Sequence, residues 1–100
     1  MRLKIVAKFK EKEYNNMSKV EKEIERLKSK PKDFTYDELR GLLNKLGFIE
    51  HNRGKTSGSG VKFIDNNKRI IELHKPHPSN VIKTYKINEI LKQLKEWRLI

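Results

Sequence analysis

Between Phe34 and Gly47 the chain carries the start, the buried face and the stop of one short helix. Thr35 and Glu38 stand three apart, the spacing at which an N-cap hydroxyl and a carboxylate satisfy each other's free backbone amides. Phe34, just before the cap, and Leu39, at the fourth helical position, are spaced to meet across it. Leu39, Leu42, Leu43 and Leu46 recur at helical spacing, and Gly47 suits the left-handed residue that ends a helix. A helix of some eleven residues with one apolar face is marginal alone and must bury that face against something else.

The next thirty residues supply the partner. Segments 48–52, 61–64 and 69–74 read as short strands. Between the first two, residues 53–60 hold three Gly, two Ser and a Thr, a loop composition. Between the second and third, Asp65-Asn66-Asn67-Lys68 is a hairpin turn. A turn centred between Asn66 and Asn67 pairs positions whose numbers sum to about 133 and sets His74 opposite Ser59. Residues 75–80 contain Pro76 and Pro78 and can be neither helix nor central strand. Thr84 is placed to cap a last helix, with Ile87, Ile90, Leu91, Leu94 and Trp97 as its stripe. Upstream, Ser18 and Glu21 form a second capping box. Val20, Ile24 and Leu27 follow as a narrow stripe, and Pro31 stops that helix.

The expected class is α+β. Helices at 35–46 and 84–97 cover one face of a three-stranded antiparallel sheet, and the helix at 18–29 is an addition. Residues 17–100 read as one domain. Residues 1–16 alternate at first (Leu3, Ile5, Ala7, Phe9) and then lose the pattern, as an edge strand or a poorly ordered extension would.

A chain of 100 residues is one small domain, too short for a TIM barrel or a full dinucleotide-binding domain. It has no Cys, which excludes disulfides and thiolate zinc sites. Its longest apolar runs are two or three residues, so no membrane span is expected, and Lys4 and Lys8 interrupt any signal-peptide core. The cytoplasm is the expected compartment. Lys and Arg number 24 against 13 Asp and Glu, a net charge of +11. Residues 1–16 hold five of those cations and two Glu, so eight of the surplus charges belong to 17–100. Such a surplus fits a polyanionic partner, nucleic acid above all. Solubility alone, an acidic protein or a membrane surface are the other readings.

Several residues can carry chemistry. Gly54-Lys55-Thr56 looks like the end of a phosphate-binding loop, but that motif needs a Gly where Ile49 stands. His74 and His77 are three apart, yet Pro76 forbids the helix on which such a pair would bind metal, so neither metal nor cofactor is expected. The loop Arg53, Gly54, Lys55, Thr56, Ser57, Gly58, Ser59, Gly60 offers backbone amides, hydroxyls and two cations to a phosphate, and Lys62, Lys75 and Lys83 add charge. An imidazole such as His74 or His77 can move protons near neutral pH, as cleavage of RNA through its own 2′-hydroxyl requires.

Taken in order, Phe34-Thr35-Tyr36-Asp37-Glu38-Leu39 with Leu43 and Leu46-Gly47-Phe48, then Gly58-Ser59 with Val61-Lys62-Phe63, then His77-Pro78 before the last helix, resemble the HicA family of toxins. That family belongs to bacterial and archaeal toxin–antitoxin pairs, and the likeness covers about residues 33–97. The resemblance implies a fold like a double-stranded-RNA-binding domain, cleavage of mRNA without a metal, and a HicB-like antitoxin as partner. In the family a Gly-Ser-His at the start of the second strand carries the catalytic imidazole. Here Gly60 follows Gly58-Ser59, so that position is vacant. His77 matches the family's His-Pro, and His74 lies beside the vacancy. Three functions follow: an mRNA-cleaving toxin with a displaced histidine, a non-catalytic RNA-binding module, or an interaction protein for an acidic antitoxin. Lys55 and Lys62 are expected at phosphates.

Deletion of residues 1–16 is expected to change unfolding free energy by no more than the roughly 1 kcal/mol of a single typical substitution, measured by urea titration. A loss of several kcal/mol would make Leu3, Ile5 and Phe9 part of the sheet.

Overall fold

The computed structural model describes residues 17–52 and 60–100. Helix α1 (Lys19–Lys28) starts at Ser18, whose Oγ accepts the Glu21 amide at 3.1 Å while the Ser18 amide donates to Glu21 Oε1 at 2.8 Å. Helix α2 (Tyr36–Lys45) repeats the device at Thr35 and Glu38, at 3.1 and 2.9 Å. It stops at Gly47, whose φ of 101° is a left-handed conformation. The Phe48 amide then donates back to the Leu43 carbonyl at 2.8 Å and the Gly47 amide to Asn44 at 3.1 Å. A β-carbon at Gly47 would meet open space, so φ alone selects glycine there; an L side chain in that conformation costs about 1–2 kcal/mol. Helix α1 is followed by Lys30 at φ 54°, and helix α3 (Thr84–Glu96) by Arg98 at φ 60°.

Strands β1 (Ile49–Asn52), β2 (Gly60–Ile64) and β3 (Ile70–His74) form one antiparallel sheet in that order. Val61, Phe63, Ile71 and Leu73 alternate into the core, where they meet Leu39, Leu42 and Leu43 of α2 and Ile87, Ile90 and Leu94 of α3. Lys62, Glu72 and His74 therefore fall on the other face. The first helix is more than an addition: Leu27 is fully buried in the same core, with Val20 and Ile24 half-buried against it.

Arg26 joins α1 to α2. Its Nε donates to Glu38 Oε2 at 2.7 Å, and its Nη2 donates to Glu38 Oε1 and Asp33 Oδ1, both at 3.1 Å. Glu38 thus caps α2 and receives α1 with one carboxylate. At the other end of the sheet, Asp65 accepts the amides of Asn67 and Arg69 at 2.9 Å each and Arg69 Nε at 2.8 Å. Burial alone would raise the Asp65 carboxyl, but these donors outweigh it and hold it below the ordinary range.

Two expectations need correction. The hairpin pairs Gly60 with His74 and Ile64 with Ile70, a sum of 134, so His74 faces Gly60 and not Ser59. The cause is Lys68: at φ 66° it extends the loop to three residues between the bonded pair Asp65 and Arg69. Thr84 does not cap α3. Lys83 is the N-cap, without a side-chain hydrogen bond, and Thr84 is the first helical residue. The expectations for residues 1–16 and for 53–59 lie outside the described residues.

The hydrogen bond from Arg26 lowers the Glu38 carboxyl below its ordinary pKa; burial opposes it and the Thr35 amide adds to it. A folded pKa below the unfolded value, about 4.3, means the contribution is complete above that value and lost as pH falls through the folded one. Urea midpoints measured from pH 7 to 3 should fall more steeply in acid for the wild type than for Glu38→Gln. The variant should also start lower at pH 7. Parallel acid limbs would remove Glu38 as a contributor.

Candidate functional site

After β3 the chain turns through Pro76, His77 and Pro78 and comes back along the start of α2. The Ile82 amide donates to the Phe34 carbonyl and the Tyr36 amide to the Asn80 carbonyl, both at 2.8 Å, and Thr35 and Val81 pair as an isolated antiparallel bridge. The Asn80 side chain adds a longer bond to Asp37 at 3.4 Å. This strap buries Ile82 and leaves a cleft of about 900 Å³ between it and the β2–β3 end of the sheet.

The cleft gathers residues from four places. Strand β2 gives Gly60 and Lys62, and strand β3 gives Glu72 and His74. The turn gives Lys75 and His77, and the start of α3 gives Lys83, Tyr85 and Lys86. His74 and Gly60 are register partners, and residues directly opposite in an antiparallel pair have β-carbon positions about 4.5–5.5 Å apart. Gly60 itself contributes no side chain to this pair.

Fixed contacts position the cations. Lys62 Nζ lies 3.6 Å from Glu72 Oε2 across the strand pair, and Lys86 Nζ lies 3.0 Å from Glu89 Oε1. Lys75 Nζ sits 5.6 Å from the centroid of the Tyr36 ring, within cation–π range. Tyr36 is itself held: its ring is tilted against Phe63 at 6.2 Å, and its hydroxyl donates to Glu50 of β1. Glu50 also meets Arg40 of α2 at 3.6 Å. Burial, and then the Glu50 carboxylate, push the Tyr36 phenol well above its ordinary pKa, so it remains a neutral donor. The first turn of α3 holds no acidic residue, so nothing there opposes the positive end of the helix dipole at the cleft rim.

Of the residues singled out in the sequence, Lys62, His74, Lys75, His77 and Lys83 come together here. Arg53, Lys55, Thr56, Ser57, Gly58 and Ser59 lie outside the described residues. His51 is exposed on β1, opposite Lys62, and does not line the cleft. Sequence reasoning missed Tyr85, Lys86 and Glu72. The signal for Tyr85 was present: it precedes Ile87 by two and so lies off the apolar stripe of α3. Among the described residues, no three His, Cys, Asp or Glu side chains converge as a metal site requires, and no helix is long and apolar enough to cross a membrane.

A helix, three antiparallel strands and a helix, with the sheet covered on one face, is the order of the double-stranded-RNA-binding-like α+β domains. The family model described as the HicA toxin of bacterial toxin–antitoxin matches residues 36–95, from the start of α2 almost to the end of α3, and the chain belongs to that family. No curated protein and no solved structure matches the chain at a significant level.

The lysines on the two walls of the cleft predict a salt-dependent affinity for RNA. Changing Lys62 and Lys83 together to Ala should reduce the slope of log affinity against log salt by about 1.4–1.8, since each phosphate contact contributes about 0.7–0.9. Fluorescence anisotropy across a salt series reads this directly, and an unchanged slope would place the phosphates elsewhere.

Proposed function

We propose that this protein is an RNA-cleaving toxin in which His74 takes the place of the histidine absent at Gly60. The carrying observation is the register pair: His74 stands directly opposite Gly60, in a cleft that also holds His77 and four lysines, Lys62, Lys75, Lys83 and Lys86. Membership of the HicA family supports the reaction class.

The chemistry is transesterification. His74 accepts the proton of a ribose 2′-hydroxyl as its oxygen attacks the adjacent phosphorus. The new O2′–P bond forms, the P–O5′ bond breaks, and the departing O5′ takes a proton from His77. The products are a 2′,3′-cyclic phosphate and a 5′-hydroxyl end. An imidazole can serve as base or as acid in such a step. Lys62, Lys75 and Lys83 stabilise the charge that builds on the phosphoryl oxygens. A HicB-like antitoxin completes the proposed system by covering the cleft, and its coding frame is expected beside this one.

The test compares wild type, His74→Ala and Gly60→His on a labelled RNA, with analysis of the cleaved ends. Cleavage by the wild type that falls at least 100-fold in His74→Ala, with cyclic phosphate ends, supports the proposal; general acid–base groups contribute about 10²–10⁴-fold. An inert wild type with an active Gly60→His would make the chain a disarmed member that binds RNA without cutting it. Wild-type cleavage unaffected by His74→Ala would assign the base elsewhere.

A further inference from the structure

The described aromatic side chains divide sharply. Phe34, Tyr36, Phe48 and Phe63 are buried in the core. Trp97 is half-buried, stacked on Phe48 at 6.0 Å with the Arg69 guanidinium 5.7 Å from its ring. Tyr85 alone is left in solvent, 62% exposed, and among the described residues no ring or cation stacks on it. Burying an aromatic is among the larger gains available to a small fold, so an aromatic left outside has no account in the packing.

Its surroundings give one. Tyr85 is the second residue of α3, turned away from the stripe of Ile87, Ile90 and Leu94 that enters the core. It lines the cleft between Lys83 and Lys86, with Lys62, Lys75 and His74 on the other walls. An exposed ring set among cations is the combination by which proteins hold single-stranded nucleic acid: the cations follow the phosphates and the ring takes the face of a base. A paired base in a helix has both faces covered by its neighbours and cannot use such a ring.

We infer that Tyr85 is a stacking platform for an unpaired nucleobase, and that the cleft therefore takes single-stranded RNA in preference to duplex. This rests on the RNA reading above and deepens it by naming the form of RNA. Stacking is tolerant of base identity because every base has a π-face. Tyr85 thus selects for strandedness and contributes little to sequence choice.

The experiment measures affinity for a 2′-O-methyl oligonucleotide, which lacks the nucleophile and stays intact, as a single strand and as a blunt duplex. Tyr85→Ala should weaken single-strand binding roughly 5- to 100-fold, as base–aromatic stacking predicts. It should leave duplex binding and the salt slope unchanged, and Tyr85→Phe should restore the single-strand value. Thermal melts of both variants matching the wild type would confirm that the exposed position does not carry the fold. Single-strand affinity unchanged in Tyr85→Ala, or lost equally for duplex, overturns the stacking role while leaving RNA binding in place. A wild type that binds neither form overturns the RNA reading itself.

Discussion

Two main-chain hydrogen bonds, Ile82 to Phe34 and Tyr36 to Asn80, hold the segment after β3 against the segment before α2. The cleft depends on them. Without the strap, residues 75–83 would be a loop with two prolines and freedom to move, and ordering such a stretch costs about 1–2 kcal/mol per residue. The strap offsets part of that cost by placing Ile82 in the core and satisfying backbone groups of both segments. It also aligns three things that are distant in sequence: the capped start of α2, the end of β3 and the start of α3. His74, His77 and Tyr85 share one space for that reason.

The carboxylates divide according to the same plan. Glu38 joins two helices through Arg26, Glu50 joins α2 to β1 through Tyr36 and Arg40, and Asp65 closes the hairpin with Arg69. Lys45 meets Glu23 at 2.7 Å between α2 and α1. Each of these acids is used within the scaffold. Among the described residues that line the cleft, Glu72 is the only carboxylate, and it is matched by Lys62. The cleft thus carries a local surplus of cations, while the carboxylates of the scaffold are matched where helices and strands meet.

Most of the fold was readable because its boundaries are local. Each capping box places two polar groups three residues apart, and no distant contact is needed to recognise it. Helical spacing in α2 and α3 likewise identifies the buried side chains directly, whereas β2 and β3 were legible only as short segments bounded by turn residues, and which of their side chains enter the core is seen in the structure. The hairpin register was misread by one because a left-handed residue is usually announced by Gly or Asn, and here it is Lys68. The N-cap of α3 was misread because Lys83 caps without its side chain, which leaves no signature. In the site, basic and imidazole residues stood out by type. Glu72, Tyr85 and Lys86 did not, because their role depends on which wall of the cleft they occupy, and that is decided by the strap.

The three-residue loop at Asn66, Asn67 and Lys68 has a consequence for how such a chain can evolve. Polar surface turns are ordinarily where related sequences gain and lose residues most freely. Here the number of residues in the turn sets which residue of β3 stands across from Gly60, four strand positions away, or about 13 Å along the strand. Losing one residue would slip β3 by one and exchange its core and outer faces. Leu73 would then come outward, and the imidazole of His74 would turn into the core. A remote and exposed hairpin is therefore held to one length by the face of β3 that must stay in the core.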